Sequence, residues 1–400
     1  MVVFLKKILL TLCIVILAGW LLHHTWQERY IYYKDYSLSF IETSDLRSFP
    51  KVQYSFGILA WLRNNTTSAA AFFSRAVSKA PLYIDAWLKL VQAEAAMGNL
   101  EKAQSILKFA DFLTGSVFRW KWQQMLLAHE LGMEDIFKRN TNYILSKRTM
   151  LRDTFQMLDI HYKAKTTDTV KALDNDNLIP YLGWLMAWGR IEDTYLVWEK
   201  IENLGVSDNK IILKYSSFLI GKKDIVKALA VLQEKGSFKG MMNGGFEIEI
   251  SRAGFDWRYS DNANWKIKRL KSPVFEGVYA LEIEFTGKEN ISFYHLYQIV
   301  PVEPSGSYSL TYNWKSEGIT TDQGPFMEIY SYDKGRLNCR GDMIRGTNDW
   351  AEETIEFTAP EECHAVVVRL RRLKSTRFDC KIAGHIWLDN FRLDLLNAKK

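Results

Sequence analysis

Cysteine is scarce in this sequence, and what there is does not form a metal-binding pattern. Four cysteines occur among 400 residues: Cys13, Cys339, Cys363 and Cys380. No CxxC pair and no cysteine–histidine cluster with zinc spacing is present, which excludes the common structural zinc motifs. Cys13 lies in an apolar run. The other three are expected either to form one disulfide and leave one thiol, or to stay unpaired and buried. Blocks of lysine and arginine are missing as well. The net charge is +6, with 21 basic and 23 acidic residues from position 241 onward. The positive excess is therefore spread thinly over the first 240 residues, and nucleic acid is not an expected partner. Catalytic signatures are also lacking: no GxSxG, HExxH, Walker loop or GxGxxG occurs. The seven histidines show no paired spacing beyond His23-His24. Acidic pairs such as Glu282/Glu284 and Glu352/Glu353 read as solvated strand or turn faces. Nothing singles out the two carboxyl groups that a glycosidase needs. The chain is expected not to be an enzyme.

Apolar and aromatic residues are plentiful. With 48% hydrophobic and 24% charged residues the chain is globular, and its length implies two or three domains. The 14 tryptophans and 19 tyrosines suit both cores and flat amphipathic binding surfaces. At the N-terminus, Lys6 and Lys7 precede an uncharged, mostly apolar run from Ile8 to Leu22. No small-x-small cleavage site follows it. Residues 1–27 are expected to be a retained signal anchor, with Trp20 and Trp26 at the far interface and the rest of the chain extracytoplasmic. Secretion after cleavage is the alternative. Residues 28–49 read as a linker or leading helix.

From about 50 to 236 the pattern is helical and repetitive. Trp87, Leu90, Gly98, Ala103, Leu107 and Ala110 fall in a frame that recurs 34 residues earlier as Gly57, Ala69, Phe73 and Ala76, closed by Pro81. Small residues at these positions let paired helices approach, and large ones fill the groove between them. This frame resembles the tetratricopeptide repeat, which implies an α-solenoid with a protein-docking surface. Gly132, Gly189 and Gly221 mark further bends, with Phe137 and Thr194 standing where alanine is usual. About five units fit at this period. The stretch TTDTVKALDNDNLIP is expected to be an irregular connection.

At MMNGGFEIEI the period falls from 3.6 to 2. Leu281, Ile283 and Phe285 alternate with Glu282 and Glu284. Tyr308, Leu310, Tyr312 and Trp314 share one face. Phe326, Glu328, Tyr330 and Tyr332 lie opposite Met327 and Ile329. Val366, Val368 and Leu370 lie opposite Val367, Arg369 and Arg371. Short alternating segments separated by turns predict an antiparallel β-sandwich over 241–397. The order NGGFE, LYQIVPVEPSGSYSLTYNWKSEG, NDWAEETIEFTAP, GHIWLDNFRLDLL resembles the jelly-roll carbohydrate-binding modules of the families 4, 9, 16 and 22 type, within the galactose-binding-like sandwiches. That resemblance implies a glycan ligand and a structural calcium held through Glu247 of NGGFE and Asp389 of WLDN. Aromatic faces for stacking on a sugar are offered by Trp257, Tyr259, Trp265, Tyr294, Tyr297, Trp314, Tyr330 and Tyr332, with Glu328, Arg369 and Arg371 as polar partners. Arg369 and Arg371 leave one face of a strand and suit an acidic sugar. Asp256 and Arg258 argue that Trp257 stands in an exposed loop. Trp350 resembles a packing tryptophan of these modules, and Trp387 reads as core.

The expected architecture is multidomain α and β: a membrane helix, an α-solenoid and a jelly-roll sandwich. The expected role is a non-catalytic, membrane-anchored scaffold. It would dock a protein on its helices and hold a glycan or polysaccharide on its sandwich, in exopolysaccharide or cell-envelope biogenesis. A purely structural assembly protein that binds no sugar is the alternative, and a polysaccharide-modifying enzyme a further one.

Overall fold

The computed structural model describes residues 15–19, 22, 49–205, 208–233, 240–378 and 380–396. Of the N-terminal apolar run, residues 15–19 and 22 are helical. The remainder of the expected anchor, with Lys6, Lys7, Cys13, Trp20 and Trp26, lies outside the described residues, as does segment 28–48. Among the described residues no helix is long and apolar enough to cross a membrane. The chain divides into two compact units, residues 1–184 and 185–400.

The first unit is helical. It holds α1 (Pro50–Leu62), α2 (Thr66–Lys79), α3 (Ile84–Ala96), α4 (Leu100–Thr114), α5 (Lys121–Glu130), α6 (Glu134–Ser146), α7 (Leu151–His161) and α8 (Thr166–Ala172), and most of α9 (Leu178–Ala187). From α1 to α8 consecutive helices pack on one another, and α3 also touches α5, the contact expected of stacked helical pairs. The repeat frame explains the packing. Ala69, Phe73, Ala76, Ala86, Ala93, Ala103, Leu107 and Ala110 are fully buried. Gly57 is required because a Cβ there would run into the Phe73 ring. Asn65 caps α2 by accepting the Ser68 amide at 3.0 Å. Trp87 donates its Nε1–H to the Pro81 carbonyl at 2.8 Å, which ties the turn to the following helix. Phe137 and Thr194, unusual at their positions, are both buried. The stretch expected to be irregular is helical over 166–172 and turns through a 3-10 segment at Asn175–Asn177. There Asn142 of α6 donates to the Ala172 carbonyl and accepts from the Asp174 amide and the Asn177 side chain. That fixation comes from a distant helix, so local propensity does not reveal it.

The second unit opens with α10 (Ile191–Asn203), α11 (Asn209–Gly221) and α12 (Ile225–Gln233). Asp208 caps α11 through the Lys210 amide at 2.8 Å. Tyr215 joins α11 to α10, donating to Thr194 at 3.1 Å and lying 4.7 Å from the Trp198 ring. Among the described residues twelve α-helices lie between Pro50 and Gln233, where about five helix–turn–helix units were expected.

Ten strands follow: β1 (Arg258–Tyr259), β2 (Trp265–Leu270), β3 (Ala280–Thr286), β4 (Phe293–Pro301), β5 (Ser307–Ile319), β6 (Phe326–Ser331), β7 (Asn338–Arg340), β8 (Gly346–Thr358), β9 (Ala365–Arg372) and β10 (Ala383–Leu395). They form two five-stranded antiparallel sheets, a first with order β1-β4-β9-β6-β7 and a second with order β2-β3-β10-β5-β8. The alternation read from the sequence sets the faces. Leu281, Ile283, Leu310, Tyr312, Met327, Ile329, Val366, Val368 and Leu370 meet in one core between the sheets.

The break at NGG has a structural cause. Asn243 adopts φ 52° and its side chain bonds both the amide and the carbonyl of Ile248. Gly244 lies so close to Phe391 of β10 that a Cβ would collide with the Phe391 backbone, and its carbonyl accepts the Phe391 amide at 3.0 Å. The disulfide alternative is not realised. Cys339, Cys363 and Cys380 are all free. Cys363 is buried and its thiol is pushed up to about 11 by burial and by Asp333.

Candidate functional site

Strand alternation places Tyr297, Glu328, Tyr330, Arg369 and Arg371 on the outer face of the first sheet, opposite the core positions Leu296, Met327, Ile329, Val368 and Leu370. Register brings them together. Tyr297 pairs with Arg369, Arg369 with Glu328, and Glu328 with Arg340 of β7. The Arg369 Nε–H donates to Glu328 at 2.5 Å, and its guanidinium lies 4.4 Å from the centre of the Tyr330 ring. A bulge after Phe293 sets Tyr294 beside Arg371, whose guanidinium is 5.5 Å from that ring. Arg371 also donates to Ser292 at 3.2 Å. Burial, more than any charge, raises the Tyr330 hydroxyl above its ordinary value, so it stays a neutral hydrogen-bond donor. The result is a bed of tyrosine rings and forked donors, half-buried except at the exposed Tyr294, whose chemistry suits polar ring compounds.

The other end of this face is closed by the chain itself. Ile299, Val367 and Ala365 point away from the sandwich core, yet they are 2%, 2% and 0% exposed. The C-terminal end of α11 reaches this end of the face through Tyr332. Tyr332, just past β6, donates its hydroxyl to the Ile220 carbonyl at 3.1 Å, and the Lys223 ammonium sits 3.1 Å from the centre of the Tyr332 ring. At the opposite sheet edge the Gly254 amide donates to Ser217 Oγ of α11 at 2.7 Å. Burial lowers the Lys223 ammonium and raises the Tyr332 hydroxyl. Tyr332 therefore anchors α11 as well as lying on the face.

Four expected sugar-stacking residues do not reach this face. Trp257 is not in an exposed loop. It is fully buried, 4.8 Å from Phe391 in an edge-on contact, and donates to the Asn243 carbonyl at 3.2 Å. Trp265 is buried against Phe293 and stacks on His295. Tyr259 and Trp314 pack against the core from its margin. Their neighbours in sequence are polar, but the turn at Asn243 and the pairing with β4 and β10 direct these rings inward. Conversely, Arg340 and the α11 end were not anticipated. Arg340 gives no signal without the β6–β7 register, and α11 belongs to a segment whose own pattern is helical. Trp387 is buried but outside the core, on the outer face of the second sheet, with its ring stacked on His385 at 5.6 Å. Trp350 also lies outside that core, edge-on to Phe275 at 5.8 Å.

Glu247 and Asp389 do approach each other near Gly245. Both Asp389 oxygens are engaged, Oδ2 by the amides of Phe275 and Glu276 and Oδ1 by that of Asn390. Glu247 Oε1 takes the amides of Val278 and Tyr279 at 2.9 and 3.1 Å. Burial, with a contribution from the Glu247 charge, raises the Asp389 carboxyl above the usual range. Among the described residues no group of three or more acidic, histidine or cysteine side chains could hold a metal ion. Two carboxylates fall short of the six to eight oxygens that calcium takes. A calcium here would have to displace amide donors and recruit backbone carbonyls and water.

Residues 60–109 match the tetratricopeptide repeat family. No curated protein matches the chain. Solved structures similar to the sandwich include a family 61 carbohydrate-binding module in complex with beta-1,4-galactotriose, at 20% identity over 40% of this chain and 100% of that one, TM-score 0.28. A xylan-binding family 22 domain from Paenibacillus barcinonensis has 12% identity over 40% of this chain and 96% of that one, TM-score 0.26. A cyclase from Fischerella sp. TAU has 14% identity over 41% of this chain and 100% of that one, TM-score 0.27.

Proposed function

We propose that this chain is a non-catalytic scaffold that binds a saccharide on the open part of the first sheet and a protein partner on its helical repeats. The observation that carries the saccharide reading is the convergence of Tyr294, Tyr297, Tyr330, Glu328, Arg369 and Arg371 on one half-buried surface. Tyrosine rings stack on the C–H faces of sugars, and the forked guanidinium donors and the carboxylate orient hydroxyls. The tetratricopeptide match supports protein docking, because such arrays stack into concave binding surfaces. In this reading residues 1–27 anchor the chain and both units are extracytoplasmic, in exopolysaccharide or cell-envelope assembly. The test is calorimetric titration of the full chain with a panel of neutral and acidic oligosaccharides. Binding that is lost in Tyr330→Ala supports the reading, and silence across the panel overturns it.

A second reading is favoured by the covered end of the same face. Ile299, Val367 and Ala365 are buried there, at the end that α11 reaches through Tyr332. In a purely structural assembly protein, that contact would be the whole purpose of the sheet. The same titration separates the two. A structural calcium at this corner would be held by Glu247 and Asp389 only in exchange for the amide hydrogen bonds they now accept. The thermal midpoint of the full chain is then expected to fall on adding a chelator and recover with calcium, and an unchanged midpoint rejects it.

A further inference from the structure

The open face is unbalanced in charge. One row of register partners crosses all five strands of the first sheet: Arg258, Tyr297, Arg369, Glu328 and Arg340. At about 4.8 Å per strand the row spans roughly 19 Å. Arg371 stands in the next row, opposite Phe326. Four guanidinium groups thus face one carboxylate, and that carboxylate is already engaged by Arg369. Arg258 donates to the Gly254 carbonyl, and Arg371 to the Ser292 hydroxyl. Among the described residues neither of these nor Arg340 takes part in an ion pair. Their positive field nevertheless reaches the tyrosines. Arg371 favours the ionised form of Tyr330, and Arg258 that of Tyr332, although burial outweighs both.

Resting on the saccharide reading of this face, we propose that its ligand is an anionic chain carrying uronate carboxylates, laid across the strands with the end of α11 as one wall. A neutral saccharide covering this row would strip water from guanidinium groups that have no counter-charge, which is costly. Carboxylates spaced along a sugar chain remove that cost, because the planar guanidinium matches a carboxylate through two parallel N–H donors. The tyrosines between the arginines supply the stacking surfaces that a plain polyanion would not use. The α11 end, fixed by Tyr332 and Ser217, confines the chain to the rows below it.

The test is titration of the full chain with oligogalacturonate and with a neutral galacto-oligosaccharide of equal length, at low and high salt. Uronate is expected to bind about tenfold or more tightly than the neutral chain at low salt, with the advantage shrinking as salt screens it. Arg340→Gln is expected to weaken uronate binding about fivefold and leave neutral binding unchanged, whereas Arg371→Gln, at a residue that also orients hydroxyls, is expected to weaken both. Arg340 is exposed on an edge strand, so its variant is expected to keep the parent thermal midpoint. Equal affinity for both chains, lost in Tyr330→Ala, overturns the anionic inference and leaves the saccharide face standing. Silence to both chains overturns the saccharide face itself.

Discussion

Tyr330 and Trp257 are both aromatic, both in the sandwich, and opposite in what they do. Tyr330 lies under Arg369 on the outer face, whereas Trp257 is fully buried between Phe246 and Phe391. Their alanine variants should therefore separate. Tyr330→Ala is expected to cost at least tenfold in saccharide affinity, about 1.4 kcal/mol, with little change in the unfolding midpoint. Trp257→Ala is expected to cost about 3–5 kcal/mol of stability, read by urea unfolding, whatever ligand is present. Tyr330 was legible from alternation, because Met327 and Ile329 beside it are apolar and define the inner face. Trp257 was not legible, because its polar neighbours are local while its burial is not: Asp256 turns inward to accept the Ser251 and Trp257 amides. Gly244 makes a related point. Its role depends on the Phe391 backbone, far away in sequence. Gly244→Ala is expected to destabilise by about 1–3 kcal/mol, measured by thermal unfolding, because the clash is with backbone and cannot be relieved by a rotamer change.

Among elements, the contact between α5, α6 and α7 carries a titratable cluster. His129 of α5 meets His161 of α7 ring nitrogen to ring nitrogen at 2.8 Å, and His161 reaches Glu134 of α6 at 2.7 Å. Tyr162 donates to the same carboxylate at 2.6 Å. Burial, then the His161 charge, lowers His129 below its ordinary value, while Glu130 opposes. The folded state therefore resists protonation at a pH where the unfolded chain, titrating near 6.5, accepts it. Stability contributed by the neutral form is full above about 6.5 and is lost as pH falls through the lower folded value. The helical unit is expected to melt at a lower temperature at acid pH than at neutral pH. Replacing His129 by asparagine should reduce that difference, and an unchanged pH slope would count against the cluster as its source. The helix pairing itself was visible in the 34-residue frame. The histidine pair was not, since His129 and His161 share no short motif.

At the scale of the whole molecule, two kinds of order meet within the unit 185–400. A helical hairpin, continuing the pattern that precedes it, meets a sandwich whose strands alternate between inner and outer faces. The change of period at Gly244 and Gly245 was readable because each style has its own spacing. The burial of Ile299 and Val367 on the outer face, at the end that α11 reaches through Tyr332, was not, because both residues suit any buried strand position. The face is closed at that end and open at the other, and the functional account rests on the open end. Hydrogen–deuterium exchange of the full chain with and without a saturating oligosaccharide tests this division directly. Added protection in β4, β6 and β9 around Tyr297, Tyr330 and Arg369 is the predicted result. Protection confined to the second sheet, or no change at any saccharide concentration, would contradict it.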